Sequence, residues 1–230
     1  MLDLIQLDEP EIAVRIAVNR RARRLTLRLA PGGGGAVLTL PPGVPAEAAR
    51  DFVRRHSGWL ARALARQGQA VPVVPGAVIP VDGAPRRIVL GDGPRQAPVL
   101  EAERLLLQGQ GRAGPRLAAW LKARGRDRMA PAATAHARML GVPLAAVSLR
   151  DTRSRWGSCS SARRISLSWR LAMAPVVVQD YVAAHEVAHL VEMNHSPDYW
   201  AVLERLMPGY REPRAWLRRN GAGLHLYRFD

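Results

Sequence analysis

The chain has one cysteine and no long apolar run, and both shortages narrow what the protein can be. With Cys159 alone, no disulfide can form within the chain. Disulfides are uncommon in reducing compartments, so we expect a cytoplasmic location. Spanning a bilayer takes about 20 consecutive apolar residues, and no such run is present. The first residues carry acids rather than the basic and apolar regions of a signal peptide. We therefore expect no membrane partner.

Acidic residues are also scarce, which leaves the chain strongly basic. Arginine and lysine total 34 against 19 aspartate and glutamate, a formal net charge of +15. Only Lys122 is lysine, so a bias towards arginine is evident, but that bias does not explain the scarcity of acids. A positive balance of this size indicates an anionic partner, and nucleic acid is the first candidate, notably at NRRARR, residues 19–24. The alternative is a solvated basic surface without a specific partner.

The N-terminal half is predicted to be rich in β-structure with one helix. Apolar and polar residues alternate over 24–29 and 36–40, on either side of PGGGG, which is the pattern of a hairpin. A helical period follows from residue 46 to about 67, and His56 on its apolar side is interpreted as a structural histidine. Short strands forming a small meander are then predicted at 78–81, 86–90, 98–101 and 104–107, with a hairpin turn at 81–84.

The C-terminal half alternates between helical and strand patterns. The predicted elements are a helix over about 115–140, strands at 146–150 and 163–171, and a helix starting near Pro175. Pro131 is expected to kink or interrupt the first of these helices, and Gly141 to end it. We therefore divide the chain into an N-terminal β-rich module, residues 1–112, and a C-terminal domain, residues 113–230.

Three of the six histidines lie in HEVAHLVEMNH, residues 185–195. On a helix, His185 and His189 lie one turn apart on the same face, so both imidazoles can bind one zinc ion. Glu186 follows the first ligand and is placed to act as general base towards a zinc-activated water. His195 is the predicted third ligand. The motif therefore predicts one Zn²⁺ per chain and hydrolysis of a peptide or protein substrate.

His195 reaches the metal only if the helix ends before it. We predict an end near residue 193, with Asn194 in the left-handed conformation. Ser196 and Pro197 are typical of the N-cap and first turn of a following helix. Three acids stay open as alternative ligands or neighbours of the metal: Glu192, Glu204 and Glu212.

Other polar side chains are candidates for contacts with the substrate. Tyr210 is a candidate oxyanion donor, with a packed core tyrosine as the alternative. Cys159 is interpreted as a small buried thiol. The candidate substrate-binding residues are Arg153, Arg155, Ser166 and Ser168, and the arginines have solvated or structural roles as their alternative.

Four stretches resemble the YgjP-like metallopeptidase family: RSRWGSCSS, ISLSWRLAMAP, YVAAHEVAHLVEMNHSPDYW and LMPGYREPRAWLRRNG. The resemblance is strong over about 151–221 and looser over the N-terminal hairpin and helix. It implies a zincin-like fold, related to the SprT-like and Wss-like proteases. In zincins the strand before the metal helix is the substrate-binding edge, so the resemblance also implies that an extended peptide could add to the strand at 163–170. It also implies zinc ligands at His185, His189 and His195 and a catalytic glutamate at Glu186.

The resemblance leaves the substrate open. The 185–195 span has the spacing of the metzincin zinc motif, but Glu192 stands where metzincins have a turn glycine, so we do not assign the chain to that group. The related Wss-like and SprT-like proteases act on DNA-bound proteins, which adds interest to the positive charge.

The expected fold is α+β, with a zincin-like unit made of an antiparallel sheet and an active-site helix behind an N-terminal β-rich module. The expected activity is that of a zinc metallopeptidase. The rival hypothesis is a DNA-associated protein, or a protease recruited by DNA, whose basic surface binds nucleic acid and whose zinc is mainly structural.

Overall fold

The fold was determined as a computed structural model that describes residues 4–8, 11–30, 35–65, 69–152 and 154–230. The chain forms two compact units, Met1–Ala70 and Val71–Asp230. This division differs from the boundary predicted at 112/113. The reason is that strand residues such as Ile79 and Ile88 share a hydrophobic core with Leu117 of the following helix.

The first unit contains a four-stranded sheet in the order β1-β2-β4-β3. Its strands are β1 (Leu4–Asp8), β2 (Glu11–Val18), β3 (Thr26–Leu29) and β4 (Ala36–Leu40). The antiparallel pairing of β3 with β4 confirms the predicted hairpin. β2 pairs with β4 in parallel, and neither β1 nor β2 was predicted from the sequence.

Two helices accompany the sheet, α1 (Ala46–Arg55) and α2 (Ser57–Ala65). Alternation along the strands puts Val14 and Leu38 in a core that also contains Val53 and Leu60. The prediction of one helix over 46–67 is wrong, because the chain breaks at His56. The His56 ring lies 2.7 Å from the Phe52 carbonyl through Nδ1, which agrees with a structural histidine.

The second unit opens with β5 (Val71–Pro72) and a four-stranded sheet in the order β6-β7-β9-β8. The sheet strands are β6 (Val78–Val81), β7 (Ala84–Gly91), β8 (Val99–Leu100) and β9 (Arg104–Gln108). The turn at 81–84 is confirmed, with positive φ at Asp82 and Gly83. The meander is wrong, since β7 and β9 are parallel.

The long helix α3 (Ala113–Leu140) runs without a break through Pro131, so the predicted interruption is absent. Gly141 ends it as predicted, in the left-handed conformation with φ 68°. That conformation lets the Gly141 backbone N–H reach the carbonyls of the last helical turn, which favours glycine here.

A three-stranded sheet follows, in the order β10-β12-β11. Its strands are β10 (Ala146–Arg150), β11 (Gly157–Cys159) and β12 (Arg164–Ser168). The sheet is mixed rather than antiparallel as expected, because β10 is parallel to β12. β12 is also the central strand, so it is not the edge that the sequence suggested. The predicted strand over 163–171 ends at Ser168 and continues as a 3₁₀ helix, Trp169–Met173.

The chain closes with three helices and a short strand. These are α4 (Val176–Ala188), α5 (Pro197–Leu206), α6 (Arg211–Leu224) and β13 (Tyr227–Arg228), the last pairing in parallel with β5. α4 is buried on most of its circumference and packs against α3, α5 and α6. Within the described ranges, no helix combines the length and hydrophobicity that a membrane crossing requires.

Candidate metal centre

The metal helix ends earlier than the sequence indicated. α4 ends at Ala188, and the chain then turns. Two hydrogen bonds that reach back three residues hold this turn, from Leu190 N–H to the Val187 carbonyl and from Val191 N–H to the Ala188 carbonyl. The predicted end near residue 193 is therefore wrong. Asn194 is not left-handed either, because the non-glycine residues with positive φ among those described are Asp82 and Arg163. A turn closed by such i→i−3 bonds needs no left-handed residue, so glycine is not required at position 192.

The beginning of α5 is as predicted. The Ser196 hydroxyl accepts a hydrogen bond from the Tyr199 backbone N–H at 3.3 Å, and Pro197 occupies the first helical position. His195 stands immediately before this cap. The corner between α4 and α5 thus brings His195 back to the end of α4.

The three histidines converge. One ring nitrogen from each of His185, His189 and His195 lies within 4.8 Å of the others, and these residues form a potential metal-binding group in the part of the chain that the structure describes. The Nε2 atoms of His185 and His195 are 3.3 Å apart. Tetrahedral zinc with bonds of about 2.0–2.1 Å separates its ligand nitrogens by roughly 3.3 Å. The His185–His195 pair therefore has the separation of two zinc ligands, and the three histidines form a group that can hold a metal ion.

The surroundings keep two of these histidines neutral, which metal binding requires. Burial, together with the neighbouring His189, His195 and Arg214, lowers the pKa of His185 to about 3. Burial also lowers the pKa of His189, against the opposing effect of its hydrogen bond to the Glu192 carbonyl. The two imidazoles on α4 are therefore available as ligands without losing a proton near neutral pH.

The Nδ1 atoms of His185 and His189 each lie within hydrogen-bonding distance of an oxygen atom. His189 Nδ1 lies 2.9 Å from the Glu192 carbonyl, which only accepts, so Nδ1 must carry the hydrogen and Nε2 the lone pair. His185 Nδ1 lies 2.6 Å from the Tyr199 hydroxyl. Glu192, a candidate acid near the metal, thus contributes its backbone carbonyl to the site.

Glu186 lies beside the cluster and is buried, with 4% of its surface exposed. Burial raises the pKa of Glu186 to about 8, and the charge of the exposed Arg155 opposes that rise. Its carboxyl packs directly on β11: a Cβ atom at Gly157 would lie 2.7 Å from the Glu186 carboxyl carbon. Glycine at this position is therefore what lets the carboxylate approach the strand.

Cys159, on the same short strand, is partly buried. Burial raises the pKa of its thiol, and the charge of Glu186 adds to the effect. A raised pKa keeps the thiol protonated at neutral pH, which agrees with an unreactive cysteine rather than a nucleophile.

The other predicted residues are dispersed around this centre. Tyr210 is 5% exposed and stacks on Trp200 with ring centroids 5.5 Å apart, as a packed tyrosine does. Ser168 is fully buried, which places its hydroxyl out of reach of a substrate at the surface. Ser166 lies partly buried on the central strand β12, opposite Ser158. Arg153 lies outside the described residues.

The alternative carboxylate ligands are not part of the histidine cluster. Glu204 lies on α5 with a carboxylate oxygen 3.6 Å from an Arg211 guanidinium nitrogen. Glu212 is exposed in the first turn of α6.

Sequence reasoning missed three residues of the site: Gly157, Tyr199 and Arg214. Tyr199 is fully buried, and its ring lies 4.6–5.4 Å from those of all three histidines. The Arg214 guanidinium lies over the Trp200 ring at 4.5 Å. The glycine in RWGSC was the one available signal, since glycine inside a strand pattern often marks a close approach.

Comparisons with known proteins agree with the class of protein that this geometry defines, a metallopeptidase of mixed α+β structure. A family model described as "YgjP-like, metallopeptidase domain" matches residues 23–220. The chain therefore belongs to the YgjP-like metallopeptidase family. No curated protein matches it.

A solved structure, the metallopeptidase zymogen of Pyrococcus abyssi abylysin, is 22% identical. The match covers 38% of this chain and 91% of that one, with a TM-score of 0.32.

Proposed function

We propose that the chain is a zinc-dependent, zincin-like metallopeptidase whose ligands are His185, His189 and His195. The observation that carries the proposal is the convergence of these three imidazoles, with the buried carboxyl of Glu186 on the residue that follows the first of them. A purely structural zinc site has four protein ligands and needs no such carboxyl group, whereas catalytic sites have three protein ligands and an open position. Zinc held there would polarise the scissile carbonyl and make a water molecule more acidic.

Glu186 is the general base and acid in this proposal. Its carboxylate accepts the proton of the attacking water and later delivers it to the nitrogen of the leaving amine. Gly157 allows the carboxylate to lie against β11, and burial raises its proton affinity. Arg155 supplies a positive charge close enough to offset part of that effect.

The substrate would bind along β11 rather than β12. Both sides of β12 are occupied by β10 and β11, whereas β11 pairs with β12 alone among the described residues. β11 carries Gly157 against Glu186, so a peptide added to its open side would pass the carboxylate. Arg155 precedes this strand and is a candidate contact for the substrate. The single Cys159 supports a cytoplasmic location for the reaction.

The test pairs two glutamate variants. Glu186→Gln keeps the side chain's shape and removes the proton acceptor. We expect peptide or casein turnover to fall by about 10²–10⁴-fold with zinc still bound. Glu103→Gln, the same change at an exposed position next to β9, should leave turnover and zinc binding unchanged. Full turnover in Glu186→Gln, or zinc loss that accounts for the whole decrease, would refute the assignment.

A second candidate function, nucleic-acid binding, is favoured by an acid-free part of the first unit. Residues 12–46 contain six arginines and neither aspartate nor glutamate. Strand register puts Arg15 and Arg28 on either side of Val37, on the face opposite the buried Leu38. A cleft of about 440 Å³ lies beside them, lined by Asn19, Arg21, Ala22, Arg23, Arg24, Thr26, Arg28 and Thr39. Guanidinium and hydroxyl groups together are typical phosphate contacts.

This candidate is tested with two variants of equal charge. One replaces Arg21, Arg23, Arg24 and Arg28 by glutamine, and the other replaces Arg50, Arg54, Arg55 and Arg62 on the helices. We expect the first alone to weaken binding of duplex DNA and to flatten its salt dependence. Equal losses in both variants would mean that net charge is responsible. If the protein does not bind DNA even at low salt, the arginines form a solvated basic surface without a nucleic-acid partner.

A further inference from the structure

We propose that Tyr199 is a positioning residue: its hydroxyl holds His185 in the tautomer with hydrogen on Nδ1, so that the Nε2 lone pair faces the other histidines. This inference rests on the proposed zinc site. It concerns a residue that makes no contribution to the ligand set itself.

The Tyr199 hydroxyl has two partners. It lies 2.6 Å from His185 Nδ1 and 3.1 Å from the His185 backbone carbonyl. The carbonyl only accepts, whereas Nδ1 either donates or accepts according to tautomer. The hydroxyl has one proton, so it can donate to one partner and must accept from the other.

Only one assignment satisfies all three groups. If the hydroxyl donates to the carbonyl, Nδ1 carries a hydrogen and donates to the hydroxyl oxygen. Nε2 then has a free lone pair. In the reverse assignment Nε2 carries the hydrogen, no lone pair is left for a metal, and the carbonyl loses the tyrosine as donor.

The need for a donor at the His185 carbonyl follows from the end of α4. The last four carbonyls of a helix have no partner within it, and α4 ends at Ala188. The carbonyls of Val187 and Ala188 accept backbone N–H groups from the following turn. The His185 carbonyl accepts the Tyr199 hydroxyl instead. The Tyr199 hydroxyl thus links the end of α4 at Ala188 to the tautomer of His185.

Tyr199 is itself held firmly. It is fully buried, and its backbone N–H donates to the Ser196 hydroxyl in the first turn of α5. Its ring packs against His189 and His195, with centroids 4.6 and 4.7 Å away. A hydroxyl fixed in this way can select one ring orientation of His185, as partners behind metal-binding histidines commonly do.

The experiment compares Tyr199→Phe with Tyr181→Phe. Both tyrosines are buried next to His185, but the ring of Tyr181 is 5.8 Å away, and no hydrogen bond joins its hydroxyl to a histidine among the described residues. Zinc affinity is measured by competition with a chelator. The His185 tautomer is read from ¹⁵N-coupled NMR spectra of the metal-free proteins.

We expect wild type to show the Nδ1–H tautomer of His185. Tyr199→Phe should show a mixture or the Nε2–H form and bind zinc about 10–100-fold more weakly. Tyr181→Phe should match wild type in both. Wild-type affinity and tautomer in Tyr199→Phe would overturn the proposal, and so would an equal loss in Tyr181→Phe.

The wild-type spectrum decides the matter even if Tyr199→Phe does not fold, because an Nε2–H form there would also overturn the proposal. Failure of the wild type to bind zinc would instead refute the proposed function, while the tautomer of the metal-free protein would still test the role of Tyr199.

Discussion

The two compact units differ in what they bury. Among the described residues, the buried side chains of the first unit are all hydrophobic, as in the core around Val14, Leu38 and Val53. The second unit also buries polar and charged side chains, namely Arg116, His136, Ser168, Arg170, Gln179 and Glu186.

The first unit therefore has the burial pattern of a structural core, whereas the second unit also buries polar groups of the kind that carry out chemistry. Burying a charge costs free energy unless the charge is paired. Arg170 is paired, donating to the Asp151 carboxylate and to the carbonyls of Leu224 and Tyr227. The buried Glu186 instead has a pKa of about 8. A buried carboxylate whose pKa is raised beside three histidines is the kind of departure expected at a functional site. The first unit buries no charged side chain among its described residues.

Replacing His195 should give the largest effect. The effect should be on zinc affinity and turnover, which belong to the second unit. His195→Ala deletes the proposed third ligand, so zinc affinity should fall by more than the roughly 10–100-fold that losing an outer hydrogen-bond partner costs. Turnover should fall with it. Chelator competition and a peptidase assay measure the two quantities. Unchanged zinc affinity would show that His195 is not a zinc ligand.

Gly157→Ala should separate the position of Glu186 from metal binding. The added methyl group overlaps the Glu186 carboxyl, which must move. A displacement of about 1 Å can lower turnover by roughly 10²-fold, while zinc affinity should stay close to wild type. Gly223→Ala is the matched control, because its Cβ would meet nothing within 4 Å. Equal turnover in both variants would show that the contact between Gly157 and Glu186 is unimportant.

Leu38→Ala should act on the first unit alone. Leu38 is fully buried in an apolar core, so its truncation should lower the free energy of unfolding of that unit by about 2–5 kcal/mol. Zinc affinity of the folded protein should be unchanged. Denaturant unfolding and a zinc titration check the two statements. A loss of zinc affinity would mean that the division between the units is not functional.

The sequence predicted the parts of the site that follow from local periodicity. The spacing of His185 and His189 defines one helix face, and the Ser196-Pro197 pair predicted the start of α5 correctly. The turn before it was placed wrongly at Asn194. Backbone N–H groups reaching back three residues close that turn, and no residue type signals such bonds.

Long-range contacts account for the rest. Tyr199 becomes part of the site only because α5 folds back on α4, and Gly157 only because β11 lies against Glu186. The parallel pairing of β10 with β12 likewise depends on the path of the chain between them. The alternation of apolar and polar residues along β12 predicts a strand. Because central and edge strands show the same alternation, it could not show that β12 is central, and the prediction that β12 is the edge strand was wrong.

X-ray absorption at the zinc edge of the zinc-loaded protein tests the metal centre most directly. We predict about one zinc per chain, with three nitrogen ligands at about 2.0–2.1 Å and a fourth, oxygen ligand. Cys159 is the one thiol in the chain, so a sulfur ligand at about 2.3 Å would place the metal elsewhere. That result, or a protein that binds no zinc when zinc is supplied, would contradict the account.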